Sequence, residues 1–211
     1  MTTDFEAQLK KWCATASGPY RRPFAPNPQW ATAQVVIVGA NPATPLRKEF
    51  ASFEEYWRSL TTNPDSFNRH YSAQHGGGTS KSTKWTKQLI ELVQPLNCLV
   101  TNACWFPVRK QKDIPKSELA FAQHSLKEMI LLIKPRALLC HGSVAEGFAK
   151  TLGASVDRYL PPESQNMILN GMLVLAYHHF SGQGLRKGTR FDPASELPRF
   201  AERIKRHAGA L

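Results

Sequence analysis

No apolar run in the 211-residue sequence approaches the roughly 20 residues that a membrane-spanning helix requires, so no membrane partner is expected. The opening residues, MTTDFEAQLKKW, mix acidic and apolar side chains without a continuous apolar stretch, so no secretory leader is expected there. Cys13, Cys98, Cys104 and Cys140 never form a Cys-x-x-Cys pattern, which argues against a zinc site or an iron–sulfur cluster. Buried free thiols in a reducing compartment are expected instead, cytoplasmic, or nuclear if the host is eukaryotic. Also missing are Gly-x-Gly-x-x-Gly, Gly-x-Ser-x-Gly and His-Glu-x-x-His, so dinucleotide binding, a hydrolase elbow and a zinc protease are unsupported. Lys81 and Ser82 follow the triplet Gly76, Gly77 and Gly78, but Ser80 stands where a phosphate-binding loop needs glycine, and no strand precedes it. No internal repeat or low-complexity tract occurs. Neither a metal nor a cofactor is expected.

Acidic residues are also scarce. Lysine and arginine outnumber aspartate and glutamate 27 to 16, a net charge of +11 that draws a chain of this size toward polyanions.

The residues present alternate between strands and helices. Val35 to Val38 are four consecutive β-branched residues, the mark of a strand covered on both faces, and Gly39, Asn41 and Pro42 end it in a tight loop. Further strands are expected at 97–102, 137–140 and 172–177. Helices are expected at 3–16, from about 47 to 60, and at 82–93, 116–134 and 194–207. A short helix is expected after Ser143, capped by that residue with Glu146 completing a capping box. The stretch 61–83 reads as a polar loop, and 154–170 as a loop with an extended piece near 156–160. Between the first helix and the first strand, a proline-rich segment should run extended over the domain; Arg21 and Arg22 within it are open to phosphate contact or to simple solvation. The pattern predicts one domain over residues 1–211, a three-layer α/β/α sandwich with a four-stranded, mostly parallel central sheet.

Such a sheet gathers Asn41, Asn102, His141, His178 and His179 at one edge, where open α/β sheets place ligands. No carboxylate pair joins them. Side-chain amides both donate and accept hydrogen bonds, which suits reading the edge of a nucleobase, and an imidazole can stabilise charge on a departing base.

These segments resemble the uracil-DNA glycosylase superfamily in order. GANPAT, Gly39 to Thr44, is similar to its Gly-x-Asn-Pro motif, found in the mismatch-specific and single-strand-selective branches. LVTN, Leu99 to Asn102, resembles the base-reading strand; CHGSVAEGFA, Cys140 to Ala149, resembles the third-strand segment; HFSGQGLR, His179 to Arg186, resembles the loop that enters the minor groove. The resemblance implies that Asn41 positions water, Asn102 reads the base, and His179, or His178 beside it, stabilises the leaving base. It places Ser181, Gln183 and Leu185 in the DNA-entering loop, with Arg186, Lys187 and Arg190 on phosphates. Ala43 replaces a tyrosine of the uracil-specific branch and leaves room for a thymine-like or bulkier base. Phe53 is one aromatic candidate to stack on that base, and Phe180 stands where the last motif has proline.

The implied activity is a monofunctional DNA glycosylase that hydrolyses the N-glycosidic bond of a damaged or modified pyrimidine. Its expected partner is DNA, double- or single-stranded, and the protein is expected to be a monomer. Two alternatives are a non-catalytic nucleic-acid-binding domain on the same fold and a nucleoside or nucleotide N-glycosidase.

Overall fold

A computed structural model describes residues 2–75 and 80–210; the triplet Gly76 to Gly78 lies outside the described residues. Strand β1 (Val35–Gly39) occupies the middle of the sheet, flanked in parallel by β2 (Cys98–Asn102) and β3 (Ala137–His141). Beyond β3 come β5 (Met172–Tyr177), also parallel, and the short antiparallel β4 (Met167–Leu169), for an order of β2-β1-β3-β5-β4.

Period-two alternation splits every central strand between two cores. Val36, Val38, Leu99, Leu138, Cys140, Val174 and Ala176 face one layer, built by α1 (Thr2–Cys13), α2 (Phe53–Thr61), α3 (Pro64–His75), α5 (Lys116–Ile133) and α6 (Ser143–Thr151). Val35, Ile37, Leu139, Leu173, Leu175 and Tyr177 face the other, built by α4 (Lys81–Leu92) and α7 (Pro193–His207). Each fully buried aliphatic contributes roughly 1.5–3 kcal/mol, and this two-sided burial is why the strands read as unbroken apolar runs. The expected three-layer class is therefore observed.

The sheet has five strands where four were expected. Asn170 (φ 51°) and Gly171 (φ 81°) form a two-residue turn with both central residues left-handed, the hairpin geometry whose twist matches the flanking strands. That turn folds Met167, Ile168 and Leu169 back along β5, whereas the extended piece expected near 156–160 is not a strand.

Three helix expectations also change. The helix expected from 47 begins at Phe53, because Ser52 Oγ accepts from the Glu55 N–H (3.2 Å) while Glu55 reaches back to the Ala51 N–H (2.8 Å). The expected loop at 61–83 contains α3, which starts with Pro64 after Asn63 and presents Phe67 to the core. Ser143 is the first residue of α6 and not its cap; Gly142 (φ 85°) holds that position, and Glu146 turns inward to Arg158.

The chain leaves β1 for β2 on one side and later enters β3 on the other. The loops after β1 and β3 consequently diverge, opening a crevice at the carboxyl end of the sheet.

Candidate active site

Beyond the strand ends the β1–β2 pairing continues through the Ala103 N–H to Gly39 (2.9 Å) and the Cys104 N–H to Ala40 (2.9 Å). The Val108 N–H then donates to the Pro42 carbonyl (3.0 Å), fastening the two loops together. Asn41 sits in this clasp: its Nδ2 donates to the carbonyls of Val108 (2.7 Å) and Pro42 (3.0 Å). Carbonyls only accept, so the amide nitrogen is fixed on their side and Oδ1 is left available on the other.

Asn102 ends β2 directly opposite Gly39. A side chain on residue 39 would place its Cβ 2.8 Å from Asn102 Oδ1 and 3.1 Å from His141 Nε2, so glycine is what lets the amide and the imidazole close over the end of β1. No described residue hydrogen-bonds the Asn102 side chain, which leaves its donor and acceptor faces available.

The two adjacent histidines differ. His179 is half-buried, its ring rests on Gly142, and its Nδ1 accepts the Ser181 backbone N–H (3.2 Å). Because that N–H can only donate, Nδ1 carries no proton in the neutral ring; Ser181 Oγ donates to it as well (2.7 Å), and the proton resides on Nε2. Burial lowers the His179 pKa from its ordinary value, favouring this neutral donor form. His178 instead packs edge-on against Tyr159 (4.9 Å) with its Nδ1 sealed and unpartnered. Its pKa is also lowered by burial.

His141, the last residue of β3, lies flat on Phe180, with ring centroids 4.1 Å apart and planes 10° from parallel. Phe180 is fully buried there, so the position where the resemblance has proline anchors the loop from below. Burial, with the nearby His179 adding to it, pushes the His141 pKa from 6.5 down to about 3. In the unfolded chain this histidine gains a proton below its ordinary value, while in the folded chain it resists until far lower pH. The unfolded state therefore binds more protons across that window, and stability falls as pH falls. Moving from about pH 7.5 to about pH 5.5 should cost on the order of 1 kcal/mol through this residue alone. Urea unfolding at the two pH values checks it: His141→Gln should lose that part of the pH dependence, and an unchanged dependence would contradict the assignment.

The other sequence candidates divide into two groups. Ser181, Gln183, Leu185, Arg186, Lys187 and Arg190 lie together in the loop between β5 and α7, with Leu185 half-buried and Gln183 and the three basic residues exposed. Arg186 lies over the Tyr159 ring at 4.0 Å, and Arg190 pairs with Asp192 (2.9 Å). Gln183 joins Gly142, Ser143, Arg158, His178 and His179 around a cavity of about 70 Å³. Ala43 is exposed just after Asn41. Phe53, in contrast, packs on Tyr20 (5.2 Å) and Tyr56 (6.2 Å), and no ring contact or hydrogen bond joins it to Asn41, Asn102 or His179. A more open groove of about 590 Å³ between α2 and α3 contains none of these residues.

Sequence reasoning gathered His141 at the strand ends without giving it a role, and it missed Val108 and Arg158. The signal for His141 was its place as the last residue of a buried strand. Val108 contributes only a backbone carbonyl, which no side-chain motif encodes. Among the described residues, no group of three His, Cys, Asp or Glu is arranged to hold a metal ion, and no helix is long and apolar enough to cross a membrane.

The family model of the Uracil DNA glycosylase superfamily matches residues 28–200, which include every strand-end residue described above. No curated protein matches the chain.

Proposed function

Because the chain belongs to the Uracil DNA glycosylase superfamily, whose members are DNA glycosylases, we propose that it is a monofunctional glycosylase acting on a damaged or modified pyrimidine. The observation that carries this reading is the Ser181 clamp on His179, which keeps a neutral imidazole with its Nε2–H as donor. Negative charge develops on the base as its N-glycosidic bond breaks, and a fixed neutral donor stabilises it without a proton having to be supplied first.

In this reading the target nucleotide swings out of the stack, at a cost of a few kcal/mol. Asn102 offers both a donor and an acceptor to the base edge. The C1′–N bond breaks with its electron pair moving onto the base, whose carbonyl oxygen accepts from His179 Nε2–H. Asn41 Oδ1 accepts a hydrogen bond from the water that adds to C1′, and that water's proton is released as the abasic sugar forms. An amide is a poor base, so Asn41 acts by orientation. DNA phosphates offset the positive charge on the sugar.

Two features support a DNA substrate. The loop residues Arg186 and Lys187 are exposed beside the crevice. Lys81 and Lys84 open α4 without an acidic residue in its first turn, where the helix dipole disfavours cations. That helix descends toward the start of β2, so its lysines share the strand-end side of the sheet. Ala43 supports a base bulkier than uracil.

The test is incubation with single- and double-stranded oligonucleotides carrying uracil, mismatched thymine, hypoxanthine or a bulky modified cytosine, followed by alkali. Alkali-labile sites on at least one pyrimidine are expected. DNA binding with no such site on any base would contradict the proposal.

A further inference from the structure

Among the described residues, Arg22 is the buried arginine whose guanidinium meets no oxygen. Its neighbour Arg21 forms a bidentate pair with Glu118 (2.7 and 2.8 Å) and is fully engaged. Arg22 is only 7% exposed, and its guanidinium lies over the rings of Phe67 (5.3 Å) and Tyr71 (5.5 Å). No carboxylate of a described residue faces it; the ionisable groups around it are the phenols of Tyr56 and Tyr71. Aromatic faces attract a cation, but they leave its in-plane N–H donors unsatisfied, and a buried charge without acceptors is costly. None of its nitrogens is among the sealed, unpartnered atoms, so its N–H edge keeps a narrow contact with solvent.

The location of that edge gives it meaning. The proline-rich segment bridges to β2 at Phe24 and Thr101 and continues past the strand end, where the Arg22 N–H donates to the Trp105 carbonyl (2.9 Å). Arg22 thus stands against the loop that begins at Asn102 and ends at Val108, the residue that fixes Asn41.

We propose that Arg22 holds an oxyanion of the DNA substrate at the rim of the base pocket. The inference rests on the glycosylase reading for the identity of that substrate. A guanidinium backed by two aromatic rings presents a planar fork of donors, which fits a phosphate or a carboxylate. Two sources supply that chemistry: a backbone phosphate beside the flipped nucleotide, or an acidic substituent on the base.

Arg22→Met separates them. With a backbone phosphate, the slope of log Kd against log salt for an oligonucleotide should fall by about 1, and release of every base should slow alike. With an acidic base, the slope should stay constant while release of a carboxyl-bearing pyrimidine falls about tenfold or more relative to its neutral counterpart. A purely structural cation on two rings would move neither readout. A folded Arg22→Met protein with unchanged slope and unchanged release of every base would overturn the proposal. If that variant fails to fold, the side-chain Nε–H resonance of Arg22 in the unmodified protein decides: it should shift on adding the oligonucleotide, and a stationary signal would overturn the proposal. Absence of base release by the unmodified protein would contradict the glycosylase reading alone, because the salt slope and the resonance are read from binding.

Discussion

Asn41→Ala should lower single-turnover base release by about 100-fold or more, with DNA affinity changing by less than about threefold. Among the described residues the side chain is held by two hydrogen bonds, from Nδ2 to Val108 and Pro42, so its loss removes an aimed acceptor and little packing. Asn41→Asp is expected to do no better. A carboxylate has no N–H to give those two carbonyls, and its charge would face their oxygens at about hydrogen-bond distance. The strain should turn the group out of the clasp. Rates measured on pre-bound substrate, with urea unfolding as the control for folding, check both variants. An Asn41→Ala protein that is folded and fully active would remove the water-positioning role.

His179→Ala should cost a similar factor, about 100- to 1000-fold, the range for losing one aimed donor at a developing oxyanion. Ser181→Ala should cost less, because the Ser181 backbone N–H still holds Nδ1 when the hydroxyl is gone. His178→Ala should also cost less than His179→Ala, since its ring packs on Tyr159 with its Nδ1 sealed. The pH profile adds a sign. Protonating His179 puts a second proton on Nδ1, which opposes the Ser181 N–H and breaks the clamp. With its pKa lowered by burial, activity should hold through neutral pH and decline only below the ordinary histidine range. Stopped-time release assays across that range check this, and a profile that rises on acidification would contradict a neutral donor.

How much of this was legible beforehand differs by level. The central strands were readable because Val35 to Val38 and Met172 to Tyr177 are buried on both faces, and such runs admit few alternatives. Asn41, Asn102 and the paired histidines were readable as strand-end polar residues once the strands were placed. The β4 hairpin was overlooked although Asn170-Gly171 is a strong short-range hairpin signal, because the three-residue strand before it is too short to show a period. The Ser52 to Glu55 capping box was likewise present, hidden behind the aromatic spacing that pulled the expected helix back to 47. Arg21 and Arg22 were open alike to phosphate contact, but which of the two would stay without a carboxylate was not legible. Arg21 finds Glu118 and Arg22 finds only rings, a difference set by tertiary packing across residues far apart in the chain. The tautomer of His179 was also out of reach, since it depends on where one backbone N–H points.

The central claim is hydrolysis of an N-glycosidic bond, and mass spectrometry of the treated oligonucleotide before any alkali tests it most directly. The predicted product is an unbroken strand that has lost one pyrimidine and gained a hydroxyl at C1′, with the free base in solution. Strands of unchanged mass after incubation with every base in the panel, bound by the protein all the while, would contradict it.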